Sequence, residues 1–277
     1  MISALRTRHV IVPPGEGPQY RWREVWHARE LLFALVERVW KVRYKQTVIG
    51  AAWAIIQPVV LMVVFTLFFG LLVRVPSDGM PYPVFVYCGL MVWQFFYKAF
   101  SDASKSIVEN AHIVTKIFFP RILFPVAAVL AGLPDLGFAL VALAGLMAFY
   151  GLVPDLAFFL VPLFIALTAV TALGAGLWFS AVYVRYRDVA QILPFTIQVW
   201  MFCTPIIYPP SLIPERFRLL YDLNPMVGVV EGIRWALVGS PPPAIDTLVV
   251  GTFTAMILLV SGVLFFRSQE PRFAESV

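Results

Sequence analysis

The sequence predicts an all-α integral membrane protein with six transmembrane helices. An amphipathic helix precedes them at the membrane interface, and two short re-entrant or surface helices lie between spans five and six. Three observations carry this. The chain is 60% hydrophobic and only 13% charged, with a mean hydropathy of +0.83, whereas globular domains carry about 25% charged residues. Lipid is therefore its main solvent. Six windows match the roughly 20 apolar residues that a helix needs to cross about 30 Å of hydrocarbon: 50–73, 84–106, 122–150, 156–184, 189–208 and 247–266. With the N-terminus inside, only Arg74, Arg216, Arg218 and Arg234 of the 21 lysines and arginines fall in outside segments. That bias fixes the orientation and leaves both termini in the cytoplasm.

The elements follow in order. Residues 1–20 are polar and broken by Pro13, Pro14, Gly15, Gly17 and Pro18, which predicts an N-terminal cytoplasmic arm. Over 21–47 the pattern turns helical, with Trp26, Phe33 and Trp40 recurring every seven residues and Glu37, Lys41 and Lys45 at i+4 steps. Tryptophan on one side and cations on others suit a membrane interface. A cytosolic helix packed on a partner protein fits the same pattern, and both can hold. Arg38, Lys41, Arg43 and Lys45 then run into 48–72, which carries no formal charge. Anything anionic would first meet the protein at that junction. Nothing before residue 48 has the apolar core of a cleavable signal peptide.

The transmembrane domain spans 48–267 and a cytoplasmic tail occupies 268–277. Lys98, Asp102 and Lys105 in the last turns of the second span predict that its cytoplasmic end emerges from the bilayer. Pro58, Pro194 and Pro205 interrupt the first and fifth spans and are expected to kink them. Ala172, Gly176 and Ser180 form a small-residue stripe in the fourth span, a close-packing face. Between spans five and six, 214–223 and 226–238 are semi-apolar but too short to cross.

Chemistry-bearing residues are sparse. Cys88 and Cys203 sit in apolar runs, and His9, His27 and His112 lack metal-ligand spacing. No P-loop motif occurs, so ATP is not expected on this chain by that route. Asp135 alone is ionisable within the third span. It suits either a helix–helix hydrogen bond near Gly132 and Gly137 or a proton-coupled transporter. The spans otherwise hold amides and aromatics: Trp53, Gln57, Trp93, Gln94, Phe95, Phe96, Tyr97, Gln191, Phe195, Gln198 and Trp200. Amides bond hydroxyls and aromatic faces stack on sugar CH faces, so the set suits a hydroxyl-rich polymer in transit. An interfacial aromatic belt with interhelical amide contacts explains it equally well.

A family resemblance rests on an ordered set of motifs. These are Arg29-Glu30-Leu31-Leu32, Lys41 with Arg43-Tyr44-Lys45-Gln46-Thr47, Ile49-Gly50, Trp53 and Gln57-Pro58. Further on come Asn110 through Thr115-Lys116 to Phe119-Pro120-Arg121, then Tyr186-Arg187-Asp188-Val189, Pro205 to Tyr208, Asn224-Pro225-Met226 and Glu231 with Arg234. In order, they resemble the ABC-2 type permeases, the membrane subunits of O-antigen, teichoic-acid and capsule exporters. Ile49 stands where that family more often has leucine, and 1–20 lies outside the resemblance.

The resemblance implies a homodimer enclosing a channel in the bacterial inner membrane, with two copies of a separate ABC ATPase that hold ATP and Mg. The cargo would be a polysaccharide on undecaprenyl pyrophosphate, whose headgroup meets Arg43 and Lys45. The 21–47 helix would rest on the ATPase, with Glu109, Asn110, His112, Thr115 and Lys116 coupling to it. The first and fifth spans would line the channel. Two periplasmic re-entrant helices would close it through Tyr208, Asn224, Pro225, Glu231 and Arg234. No cofactor in this chain and no nucleic-acid partner is expected. Permeases for teichoic acid, capsule or a small lipid or drug are the alternatives, ahead of a membrane-embedded envelope-synthesis enzyme.

Overall fold

A computed structural model describes residues 27–45, 50–114 and 119–273. Among these every regular element is helical. The principal helices are α1 (Arg29–Tyr44), α2 (Trp53–Phe65), α3 (Tyr82–Glu109), α4 (Leu123–Leu130), α5 (Leu133–Tyr150), α6 (Val161–Arg185), α7 (Val189–Phe202), α8 (Glu215–Asp222), α9 (Pro225–Val238) and α10 (Ile245–Gln269). Five stretches are long and apolar enough to cross a membrane: Trp53–Leu72, Tyr82–Glu109, Leu123–Tyr150, Leu156–Arg185 and Ile245–Gln269.

The fifth expected span is shorter than its window, 189–208. α7 ends at Phe202, giving 14 residues, or about 21 Å of helix. Pro205 explains the stop, since it cannot donate to the helix ladder and disfavours helical backbone at Thr204. Pro194, by contrast, lies inside α7. The 204–207 segment folds inward as a buried non-helical turn.

Pro134 has a similar effect in the third span, which divides into α4 and α5 around Ala131 and Gly132. The Phe95 ring packs against this break, so close that a Cβ on Gly132 would lie 3.2 Å from its Cε2. In the first span Pro58 is tolerated inside α2, and the last turns, Thr66–Leu72, widen to a π-helix.

α3 is the central post. Burial covers 78% of its apolar window against 6% of the Trp53–Leu72 window. It packs on α6, α4, α2, α5 and α9, and α6 in turn packs on α10. Small residues permit these approaches. A Cβ on Gly176 would lie 2.6 Å from Ala103 Cβ, and one on Gly262 would lie 2.5 Å from the Gly174 carbonyl oxygen. The Ala172, Gly176 and Ser180 stripe is buried.

The bundle has two unlike ends. At one, α1 packs on α4 through Leu35, in a cluster with Ile107, Leu123, Phe266 and Phe273. Phe33 and Trp40 point away from this contact and are exposed. Residues 270–273 dock there as well: Arg121 N–H donates to Glu270 Oε1 at 3.0 Å, and Phe273 meets Phe266 edge-on. Gly50 has φ +56° where the chain enters the first span, a backbone region that favours glycine. At the other end α8 and α9 sit with the 74–81 and 239–244 segments.

Candidate functional site

The α1 end holds an ionic knot. Arg43, in the last turn of α1, donates from Nη2 to Asp102 Oδ2 at 2.6 Å and from Nη1 to Asp135 Oδ2 at 2.8 Å. Nη1 also reaches the Ala131 carbonyl at the α4–α5 break, at 3.2 Å. Tyr44 donates its hydroxyl to Asp135 Oδ1, and Lys98 Nζ lies 3.5 Å from Asp135 Oδ2. Asp135 occupies the first turn of α5, where the helix dipole favours a carboxylate. It is thus a multiply bonded anchor between α1, α3 and α5. Gln57 and Gln94 line a small recess beside it with Lys98.

Arg43, expected at a substrate headgroup, therefore has two carboxylates as partners. Lys45, two residues on, is exposed. Next to the knot, Glu109 and His112 are exposed. Asn110 donates from Nδ2 to the Ser106 carbonyl at 2.8 Å, and its own carbonyl caps the turn Ala111–Val114. Thr115 and Lys116, the remaining residues of that expected coupling segment, lie outside the described residues.

The amide and aromatic set divides into two groups. Trp53 and Gln57 on α2, Tyr97 on α3, and Gln191, Phe195 and Gln198 on α7 are exposed, Phe195 at 67%. Trp93 is 3% exposed and packs on Phe96, and Gln94 is half-buried. Trp200 is half-buried, with its ring edge on Phe96 and Phe100 and its Nε1–H donating to Asn224 Oδ1 at 2.8 Å. Trp93 and Trp200 thus belong to the packed interior of the chain. α2 lies mainly on α3 and α5, while α7 lies mainly on α6 and α3.

At the other end, Asn224 caps α9 ahead of Pro225, a favoured pairing at helix starts. Its Oδ1 accepts from Trp200 Nε1 and Met226 N, and its Nδ2 donates to Cys203 O and Thr204 Oγ1, both at 3.0 Å. All four bonding capacities of the amide are used, and the start of α9 is stapled to the end of α7. Tyr208 donates to the Phe202 carbonyl at 2.9 Å.

Arg234 is 2% exposed. Its Nε donates to Phe85 O at 3.1 Å and Nη2 to Ile206 O at 3.0 Å, and the guanidinium lies 3.5 Å from the Phe85 ring centroid. Nη1 has no partner. Glu231, one turn earlier, shares with it a polar cavity of about 130 Å³. Burial pushes the Glu231 carboxyl up to about 7 against the opposing pull of Arg234. The pairing of Arg234 with carbonyls of α3 and of the 204–207 turn joins residues 149 and 28 positions apart and was not legible in the sequence.

The ABC-2 type transporter profile matches residues 30–238, which is most of the chain. The chain belongs to the ABC-2 type transporter family. Among its relatives in this family, an O-antigen export system permease protein RfbA of Myxococcus xanthus is 27% identical over 92% of this chain and 98% of its own length. An RfbA of the same description from Klebsiella pneumoniae is 29% identical over 89% of this chain and 94% of its own. The polysialic acid transport protein KpsM of Escherichia coli is 25% identical over 86% of this chain and 92% of its own. The match takes in the ionic knot, the exposed α2 and α7 faces and, of the cavity beside α9, Glu231 and Arg234.

Proposed function

We propose that this chain is the membrane-spanning subunit of an ATP-driven exporter that moves polysaccharide on undecaprenyl pyrophosphate across the bacterial inner membrane. O-antigen is the cargo favoured by the RfbA relatives; the lower-identity KpsM match keeps a capsular polymer as the second reading. The observation that carries the proposal is the exposed polar-aromatic surface of α2 and α7. Gln57, Gln191 and Gln198 offer amides there, and Trp53 and Phe195 offer rings.

In this reading α7, extended by the 203–208 turn, is the fifth of six spans. A second copy brings its own α2 and α7 into one conduit, and Tyr97 on α3 adjoins it. The α1 end faces the cytoplasm, where α1 and the 109–116 segment meet two copies of an ATPase subunit that binds ATP and Mg. The α8–α9 end, with Tyr208, Asn224, Pro225, Glu231 and Arg234, closes the conduit on the periplasmic side. The lipid pyrophosphate first meets Lys45, with Arg43 behind it.

The test is glycan accumulation in a strain lacking the chromosomal copy. Restoring the wild-type chain should clear inner-leaflet lipid-linked glycan. Phe195→Ala combined with Gln198→Ala should leave it stalled while the chain still inserts and retains its ATPase. Full clearance by that variant would remove the α7 face from the transport path.

A further inference from the structure

The cavity beside α9 carries an unmet chemical demand. Arg234 is buried and fixed by two carbonyls and a ring, yet its Nη1 donors have no acceptor. Buried donors are nearly always satisfied, and Arg234 is among the residues that line a partly open polar cavity. We propose that the cavity binds one neutral polyhydroxylated unit, a saccharide residue, between the Arg234 guanidinium and the Glu231 carboxylate. This deepens the exporter reading, which supplies the saccharide, but the site itself rests on the geometry.

The walls decide the class of ligand. Asp78, Asp222 and Glu231 face the cavity together with Arg218 and Arg234. An oxyanion would meet Asp78, Asp222 and the Glu231 carboxyl. A metal ion would meet Arg234, and no metal-holding group of three His, Cys, Asp or Glu occurs among the described residues. A hydroxyl accepts from a guanidinium and donates to a carboxylate at once, so a polyol satisfies both walls. Asp222 is already engaged, accepting from Thr247 Oγ1 at 2.9 Å, which leaves Glu231 as the acceptor nearest Arg234 along α9. Pro241, Pro242 and Pro243 supply an apolar CH wall. The volume of about 130 Å³ is many times the roughly 10–15 Å³ that a single water needs, so the space admits a ligand larger than water.

The experiment uses the full chain with its ATPase partner in nanodiscs. Saturation-transfer NMR follows methyl glycosides of mannose, galactose and rhamnose, with sulfate and Ca²⁺ as charged probes. At least one glycoside should bind saturably. Arg234→Lys keeps the charge but loses the planar fork, and should weaken binding about tenfold or more, as should Glu231→Ala. Ser240→Trp fills the cavity without altering the Arg234 bonds and should abolish binding; it carries the test if Arg234→Lys fails to fold. Absence of glycoside binding, or binding unchanged in Ser240→Trp, overturns the site. Saturable sulfate or Ca²⁺ binding that excludes glycosides overturns the neutral class. Normal glycan clearance without cavity binding would sink the site and leave the exporter reading standing. Cavity binding in a chain whose deletion stalls no glycan would do the reverse.

Discussion

Arg43 and Asp135 are 92 residues apart in sequence, yet Nη1 and Oδ2 lie 2.8 Å apart. The pair fastens α1 to the first turn of α5, and Asp102 on the other guanidinium nitrogen ties in α3. Any displacement of α1 therefore pulls on two helices of the bundle.

Breaking this knot should cost stability. Removing one partner of a buried pair leaves the other uncompensated, at about 3–5 kcal/mol. Arg43 is partly exposed at 19%, so the lower end is expected for Arg43→Gln. Asp135→Asn keeps an acceptor and should cost less, and the double variant should cost less than the sum. Thermal unfolding of the four proteins in detergent measures the coupling; strict additivity would show that the contact contributes nothing.

Lys45 separates headgroup capture from folding. It is exposed, so Lys45→Gln should leave the melting temperature unchanged while lowering export several-fold. Unaltered export would take Lys45 out of the substrate path.

Asn224 should not tolerate Asp. The carboxylate keeps the bonds from Trp200 and Met226 but loses both donors, to Cys203 O and Thr204 Oγ1, and faces the carbonyl repulsively. A loss of about 1–3 kcal/mol is expected, together with a changed Trp200 emission maximum in a chain holding that tryptophan alone. A wild-type melt and spectrum would refute the staple.

Close packing of α6 on α10 gives a matched pair of substitutions. Gly262→Ala sets a methyl 2.5 Å from the Gly174 carbonyl oxygen, whereas nothing lies within 4 Å of a Cβ on Gly145. The first should destabilise by about 1–3 kcal/mol, and the second should be neutral or slightly stabilising. Equal melting temperatures would contradict the observed approach.

Glu231 predicts a pH effect of definite sign. Its carboxyl is pushed from 4.5 up to about 7, so between those values the folded chain keeps a proton that the unfolded chain releases. The charged group therefore lowers stability progressively as pH rises above about 4.5, with the full cost present above about 7. The scale is about 1.4 kcal/mol per pKa unit. Relative to wild type, Glu231→Gln should gain melting temperature between about pH 5 and pH 8. A difference that does not change with pH would contradict the burial of this carboxyl.

By itself the sequence determined the all-helical membrane class, the approximate limits of five long spans and a helix within 21–47, which the structure describes over Arg29–Tyr44. Hydropathy and local periodicity suffice for these, because lipid and a 3.6-residue repeat act on neighbours in the chain. The ABC-2 motifs were legible for the same reason, as short ordered runs. The tertiary structure decided which apolar helix is the core. Lipid-facing and protein-facing surfaces are both apolar, so composition could not place α3 inside and α2 outside, or separate buried Trp93 from exposed Trp53. It also decided the partners of polar residues far apart in sequence. Asp135 proved to be an anchor for Arg43, Tyr44 and Lys98, Asn224 a staple for Trp200, and Arg234 a clamp on Phe85 and Ile206. A buried polar group takes whichever complementary group the packing brings within about 3 Å, and only the assembled bundle fixes that.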